Sequence, residues 1–370
     1  MKKIIVAADS FKGSMSSETV CNVVKFAIEK AIPGANVITI PIADGGEGTI
    51  DVLGAEKRYV TVNDAFFQPV LSYWGKLGEY AVIELAAVAG LPMAKQPNPM
   101  VASTYGVGQL ILDALNQGER KFILALGGSS TNDLGCGFAA ALGAKFYNKA
   151  GETFVPTGGT LICVERVDLT EMDRRLEECS FVTMCDVTNP LCGENGAAYV
   201  FAPQKGATDE MLPLLDEGLK HTAEVLESVL GKRFRDVPGA GAAGGCGAGS
   251  AVFLNSKLQS GIQTVLDLKA FDENITGCDL VISGEGRFDS QSAGGKAVCG
   301  IASRCKQFGV PLFVLCGSYQ LSDDDLPDGI SAVFSILNKP CSLSDALASG
   351  KENLYQAALQ IGRMLKSVCK

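Results

Sequence analysis

Five stretches combine acidic, hydroxyl, lysine and glycine residues directly after apolar runs. They are Asp9-Ser10-Phe11-Lys12-Gly13-Ser14, Asp44-Gly45-Gly46-Glu47-Gly48-Thr49, Gly127-Gly128-Ser129-Ser130-Thr131-Asn132-Asp133, Cys185-Asp186-Val187-Thr188-Asn189-Pro190 and Gly284-Glu285-Gly286-Arg287-Phe288-Asp289. These residue types suit phosphoryl transfer, which asks mostly for positioning and charge stabilisation. Amides and lysine grip phosphate oxygens, one or two carboxylates hold Mg²⁺, and a carboxylate accepts the hydroxyl proton. Glycines let backbone amides approach a phosphate, and a helix opening after Gly127–Asp133 would add its dipole.

Each stretch also has an ordinary structural reading. A Gly-Gly pair after a strand is often only a turn, Asp9 and Asp44 suit helix caps, and Lys12, Lys205 and Lys296 suit solvated loops. Repetition of the pattern at five strand ends gives it weight, because open α/β sheets bind ligands beyond the carboxyl ends of their strands.

The elements that must position these loops follow from periodicity. Lys3–Ala8 and Asn36–Ile42 read as strands flanking a helix that Ser16 or Ser17 caps and Pro33-Gly34 stops. Segments Tyr59–Asn63 and Tyr80–Leu85, with turns containing Gly75 and Gly78, read as a β-meander. Helix Ser103–Asn116, strand Lys121–Leu126 and a helix over Asn132–Phe146 follow. After them come a charged helix near Glu171–Glu178, strand Phe181–Cys185 and a long amphipathic helix over Thr208–Arg233. The last third alternates again: strands at Leu280–Ser283, Leu312–Leu315 and Ala332–Ile336, with helices at Lys296–Phe308 and from Leu343. Such alternation predicts an α/β protein with mostly parallel sheets. At 370 residues two domains are expected. The likeness of the terminal thirds predicts residues 1–68 plus 280–370 as one discontinuous domain, with 69–279 inserted into it.

Composition excludes several classes. A net charge of −9 disfavours nucleic acid and anionic membranes as partners, and leaves an anionic substrate dependent on a local basic or amide-lined site. The apolar run after Met1-Lys2-Lys3 is too short for a signal peptide, and the most apolar window, Ala81–Ala94, is broken by Glu84 and Pro92. A cytoplasmic protein is therefore expected. Thirteen cysteines form no C-x-x-C pair, and His221 is the single histidine, which removes the usual zinc sets and His-dependent nucleophiles. Walker A and H-R-D kinase motifs are absent. The string Gly239–Gly244 matches a dinucleotide fingerprint, which raises an NAD(P)-dependent hydroxy-acid reductase as a rival. However, Pro238 and the charged run before it make a poor buried strand.

In their order, these segments resemble the bacterial glycerate kinase family. The matching stretches are Asp9–Ser14, Ile42–Thr49, Thr104–Ile111, Gly127–Asp133, Cys185–Leu191, Phe201–Ala207, Pro238–Gly245 and Gly284–Lys296. Departures are Ser130 for a usual alanine, Leu134 for a glycine, and Ser292 for a threonine. The resemblance implies two α/β domains, one flavodoxin-like, with an active-site cleft between them. It also implies ATP-dependent phosphorylation of D-glycerate with Mg²⁺, at the 2-hydroxyl, with the 3-hydroxyl as the alternative. On this reading Lys12 and Ser10 contact the glycerate carboxylate or the transferred phosphate. Asp186 or Asp289 is the base. Asp44, Glu47 and Glu285 lie near the metal, while Ser129, Ser130, Thr131, Asn132, Gly241, Gly244 and Gly245 hold phosphates. A non-catalytic glycerate sensor is the remaining alternative, disfavoured by the intact acidic and lysine set.

Overall fold

The structure, a computed structural model, describes residues 3–43, 45–289, 297–320 and 326–368. Its strands in chain order are β1 Lys3–Val6, β2 Asn36–Thr39, β3 Glu56–Asn63, β4 Pro69–Leu77, β5 Tyr80–Glu84, β6 Lys121–Ala125 and β7 Lys145–Tyr147. They continue with β8 Thr153–Phe154, β9 Arg166–Asp168, β10 Ser180–Met184, β11 Lys257–Gln259, β12 Leu280–Asp289, β13 Leu312–Gln320 and β14 Ala332–Ser335. The chain divides by packing into two units, one built from residues 1–44 and 262–370, the other from residues 45–261.

The first unit holds a five-stranded sheet in the order β14-β13-β12-β1-β2, parallel throughout. Numbered within that unit the order is 2-1-3-4-5, the flavodoxin-like arrangement. The strands are apolar because both faces are covered: Ile4, Ile5 and Val6 are wholly buried, as are Val281 and Ile282. Helices Ser17–Ala31 and Gly350–Val368 pack on one face through a cluster including Val20, Val24, Ile28, Leu354, Ala358 and Ile361. Ser16 caps the first of these helices, its hydroxyl accepting from the Thr19 amide.

The second unit is organised by a six-stranded sheet, β11-β10-β6-β5-β4-β3. Strands β5, β6, β10 and β11 run parallel, while β3, β4 and β5 form the expected antiparallel meander. Gly78 lies in the turn, but Gly75 sits inside β4, where a side chain would press on Ala55 and Ile50. A small antiparallel sheet, β8-β7-β9, stands apart from the main one.

The unit boundaries fall at 44/45 and 261/262 rather than near 68 and 280. Strand β3 is paired along its whole length with β4, from Glu56 opposite Lys76 to Asn63 opposite Pro69, which ties residues 45–68 to the second sheet. At the other end Arg304 binds Gln263, Asp267 and Asp272, tying that segment to helix Ala297–Phe308.

Two helices differ from expectation. The one anticipated over Asn132–Phe146 is confined to Cys136–Ala141 because Leu134 and Gly135 are left-handed and β7 begins at Lys145. The charged segment near Glu171–Glu178 is a short 3₁₀ turn, Arg174–Glu178. The long helix spans Met211–Leu230 and buries Leu215, Leu219 and Leu226, whereas Leu230 is exposed. His221 flanks that stripe, half-buried, with Nε2 2.8 Å from the Val164 carbonyl oxygen. No helix among the described residues is long and apolar enough to cross a membrane.

Candidate active site

Parallel pairing aligns Glu84, Ala125 and Met184 in one row across the second sheet, with Gln259 opposite Met184 on its far side. These are the last residues of their strands, so the loops carrying Gly127–Asp133, Asp186 and Ser260 leave from one end of the sheet. Within this unit the loops pack directly on one another. The Gly127 amide donates to the Gly45 carbonyl at 2.9 Å, and a Cβ on Gly127 would stand 2.5 Å from Gly46 Cα. Only a residue without a side chain permits that approach.

The Gly127–Asp133 loop divides its labour. Ser130 is fully buried, with its amide and hydroxyl both donating to the Ala89 carbonyl, at 2.8 and 2.9 Å. The Asp133 carboxylate, also fully buried, accepts from the Thr104 amide (2.7 Å), the Thr104 hydroxyl (2.8 Å) and the amides of Gly135 and Gly137. Burial raises its pKa above the ordinary range, against the pull of those donors. These two residues fix the loop to its surroundings. Among the described residues both side-chain amide atoms of Asn132 are buried without a hydrogen-bond partner, a costly state that suits groups completed by a ligand or by ordered water.

Lys205 lies beneath this loop. It is 2% exposed, and its ammonium donates to Ser129 Oγ at 2.8 Å and to the Thr131 carbonyl at 2.7 Å. Burial lowers its pKa to about 8, with Cys246 and Asp133 opposing the fall. In sequence alone Lys205 reads as a solvated loop lysine, whereas the structure buries it. The signal that could have promoted it is its place in the Phe201–Ala207 stretch, between helix-stopping Pro203 and left-handed Gly206.

The segment around Gly241–Gly245 packs directly on this loop. Ala243, Gly244 and Gly245 are left-handed in succession, and a Cβ on Gly244 would lie 2.1 Å from the Thr131 carbonyl oxygen. Gly241 is similarly close to the Pro190 carbonyl, and Gly245 to Leu134. Leu134, whose φ is +56, donates its amide to the Gly244 carbonyl at 3.1 Å while its side chain fills the core. A glycine would adopt that backbone without strain, and here leucine accepts the strain and gains burial. No strand precedes this segment, so the dinucleotide fingerprint lacks the strand–turn–helix setting that it requires.

Asp186 is held at the neighbouring strand end. Its Oδ1 accepts from the Ser260 hydroxyl (2.7 Å) and the Gly261 amide (2.9 Å), which fixes the direction of the carboxylate. Glu84 is a second residue that sequence reasoning missed, concealed within an apolar run. It is 2% exposed, accepts from the Ile50 amide at 2.6 Å, and so anchors the turn that bears Glu47. Burial pushes its pKa up to about 6. Glu47 itself is exposed.

In the first unit, β1 and β12 bring two more loops side by side. The Asp9 amide donates to the Gly284 carbonyl at 3.0 Å, and the Ser10 amide to Asp9 Oδ1 at 2.6 Å. Gly286 backs onto the Lys12 backbone, leaving the Lys12 side chain exposed and Ser10 half-buried. Glu285 is buried within β12, whose last residue is Asp289. Asp44, Lys296, Ser292 and the Asp289 side chain lie outside the described residues. Among the described residues no three His, Cys, Asp or Glu side chains gather closely enough to hold a metal ion by themselves. A Mg²⁺ ion bound chiefly by phosphate oxygens needs only one or two carboxylates. In the second unit the exposed Glu47 carboxylate offers hard oxygens of the kind such an ion takes.

The family model described as the glycerate kinase family matches residues 4–366. A Bacillus cereus glycerate kinase is 42% identical, covering 98% of each chain. Escherichia coli K12 glycerate 2-kinase is 40% identical over the same shares. A crystal structure from Salmonella typhimurium LT2, of a protein provisionally named glycerate kinase 2, superposes with a TM-score of 0.87. It is 36% identical, with 99% of this chain and 98% of the other covered.

Proposed function

The chain belongs to the glycerate kinase family of phosphotransferases, and on that premise we propose that it transfers the γ-phosphoryl group of ATP to the 2-hydroxyl of D-glycerate. The observation that carries this reading is the shared sheet end of the second unit. There Asp186 and the Ser129–Asn132 loop follow two neighbouring strands, and the glycine turn at Gly241–Gly245 packs on that loop beside Asn132, whose side-chain amide has no partner among the described residues. The name of the Escherichia coli relative supports position 2 over position 3.

In the proposed reaction the substrate hydroxyl oxygen attacks the γ-phosphorus. The bond from that phosphorus to the bridging oxygen breaks, ADP leaves with the electron pair, and the hydroxyl proton passes to Asp186 or Asp289. A loose transition state asks little of the base early on, so positioning dominates. Ser129, Thr131 and Asn132 donate to phosphate oxygens, whereas Ser130 contributes through the loop geometry, its hydroxyl being committed to Ala89. Gly241, Gly244 and Gly245 allow the close approach of backbone. Ser10 and Lys12 bind the glycerate carboxylate or the transferred phosphate, supplying local positive charge in a chain of net charge −9. Mg²⁺, held by Glu47, Glu285 or Asp44, would neutralise charge on the phosphates. Alanine substitution of Lys12, Asp44, Asp186 and Asp289 tests the assignment: each variant is expected to lose at least tenfold in turnover. Near-wild-type turnover in all four would reject it.

A further inference from the structure

A buried lysine normally pairs with a carboxylate, because an ammonium taken out of water is costly. Among the described residues Lys205 has no ion pair: its two acceptors there are a hydroxyl and a backbone carbonyl, both in the Ser129–Asp133 loop. The nearby carboxylate, Asp133, is engaged by Thr104, Gly135 and Gly137. Stability alone would be served better by an apolar residue of similar length. The arrangement makes sense as a way of setting the direction of one proton.

We infer that Lys205 is a positioning residue for phosphoryl transfer, whose ammonium keeps the Ser129 oxygen as an acceptor so that the Ser129 proton is presented to an anionic oxygen of the bound substrates. An ammonium has three donors and no lone pair, so Ser129 Oγ must accept from it and turn its own hydrogen elsewhere. Once Lys205 loses its proton, the amine gains a lone pair. The Ser129 hydroxyl can then donate inward to that nitrogen, and the anion loses its contact. The same ammonium holds the Thr131 carbonyl, next to the Asn132 side-chain amide, which has no partner among the described residues. Burial places this switch near pH 8. The other titratable groups that bear on Lys205 are Asp133 and Cys246, and burial keeps the Cys246 thiol protonated well above that pH.

The inference rests on the proposed activity, and its test separates the two. ADP release with ATP and D-glycerate is measured from pH 6.5 to 9.5 for wild type, Lys205→Met, Ser129→Ala and the double variant. Wild-type kcat/KM is expected to fall about tenfold per pH unit above roughly pH 8. Both single variants should be at least tenfold weaker at pH 7 and lack that alkaline limb. The double variant should be no weaker than the worse single one, as expected of residues acting as a unit. The source of the anion shows in which KM rises in Ser129→Ala, that for ATP or that for D-glycerate. A Lys205→Met enzyme that keeps the limb, or losses that multiply in the double variant, would overturn the inference. Should circular dichroism show Lys205→Met unfolded, Ser129→Ala decides alone: loss of its limb supports the inference, and an unchanged limb refutes it. A folded wild type that releases no ADP would sink the proposed activity and this inference together, whereas an active wild type with an indifferent Lys205→Met would sink this inference only.

Discussion

The Lys205 ammonium nitrogen lies 2.8 Å from Ser129 Oγ, and neither residue is more than 5% exposed. The two are joined across 76 positions of sequence. Their contact ties the turn after Pro203 to the loop after β6, and a cation is placed under the residues proposed to bind phosphate.

Burying that cation has a cost that pH should reveal. The native pKa of Lys205 is about 8 against 10.5 for a free lysine, so between those values the unfolded chain holds a proton that the native one has released. Stability contributed by this residue therefore rises as pH climbs from about 8 to 10.5, by roughly 3 kcal/mol. Urea midpoints for wild type and Lys205→Met at pH 7.5 and 10 measure it. The gap between the two proteins is expected to narrow or reverse in favour of wild type at the higher pH.

Glu84 carries the opposite dependence. Its native pKa is raised from 4.5 to about 6, so the native state keeps a proton that the unfolded state loses in that window. Its contribution to stability is full below about pH 4.5 and falls as pH rises through 6, by about 2 kcal/mol. Glu84→Gln retains an acceptor for the Ile50 amide and lacks the titration. Comparing the two proteins by urea unfolding at pH 4.5 and 7 should show Glu84→Gln gaining on wild type at pH 7.

Two glycine substitutions separate backbone strain from crowding. Gly34, at φ +88 with open space around it, should tolerate alanine at a cost of about 1 kcal/mol. In Gly244→Ala the new methyl would meet the Thr131 carbonyl at 2.1 Å on a left-handed backbone, and a loss on the order of 4 kcal/mol is expected. Thermal melting of both variants checks the contrast.

Asp133→Ala strands the donors of Thr104, Gly135 and Gly137 in the core. A loss of roughly 3 kcal/mol or more follows from the buried, unsatisfied groups. Chemical denaturation would measure it. Asp133→Asn, which keeps an acceptor, should lose less.

Local pattern carried much of this architecture. Apolar runs ending at Ala8, Leu126, Cys185 and Ile336 mark strands that end within a residue or two of those positions, at Val6, Ala125, Met184 and Ser335, and the polar types after them mark the loops. What pattern could not show was commitment. Ser129, Ser130, Thr131 and Asn132 are one polar run in sequence, yet Ser130 is spent on Ala89 and Ser129 is held by Lys205, while the Asn132 side chain has no partner among the described residues. Those distinctions arise from residues tens of positions away. Lys205 was illegible for the same reason, since its burial depends on the Ser129–Asp133 loop and the Ala242–Phe253 helix. The over-long helix expected after Asn132 failed because Leu134 takes a backbone conformation that its side chain gives no reason to expect.

The central claim, that the loops at these strand ends serve phosphoryl transfer to a hydroxy acid, meets its most direct test in one assay. ADP release is followed with D-glycerate, L-glycerate and related acids, and the product is identified by phosphorus NMR. We predict turnover with D-glycerate and a 2-phosphoglycerate product. A 3-phosphoglycerate product would contradict the regiochemistry, and the absence of ADP release with every acid tried would contradict the account itself.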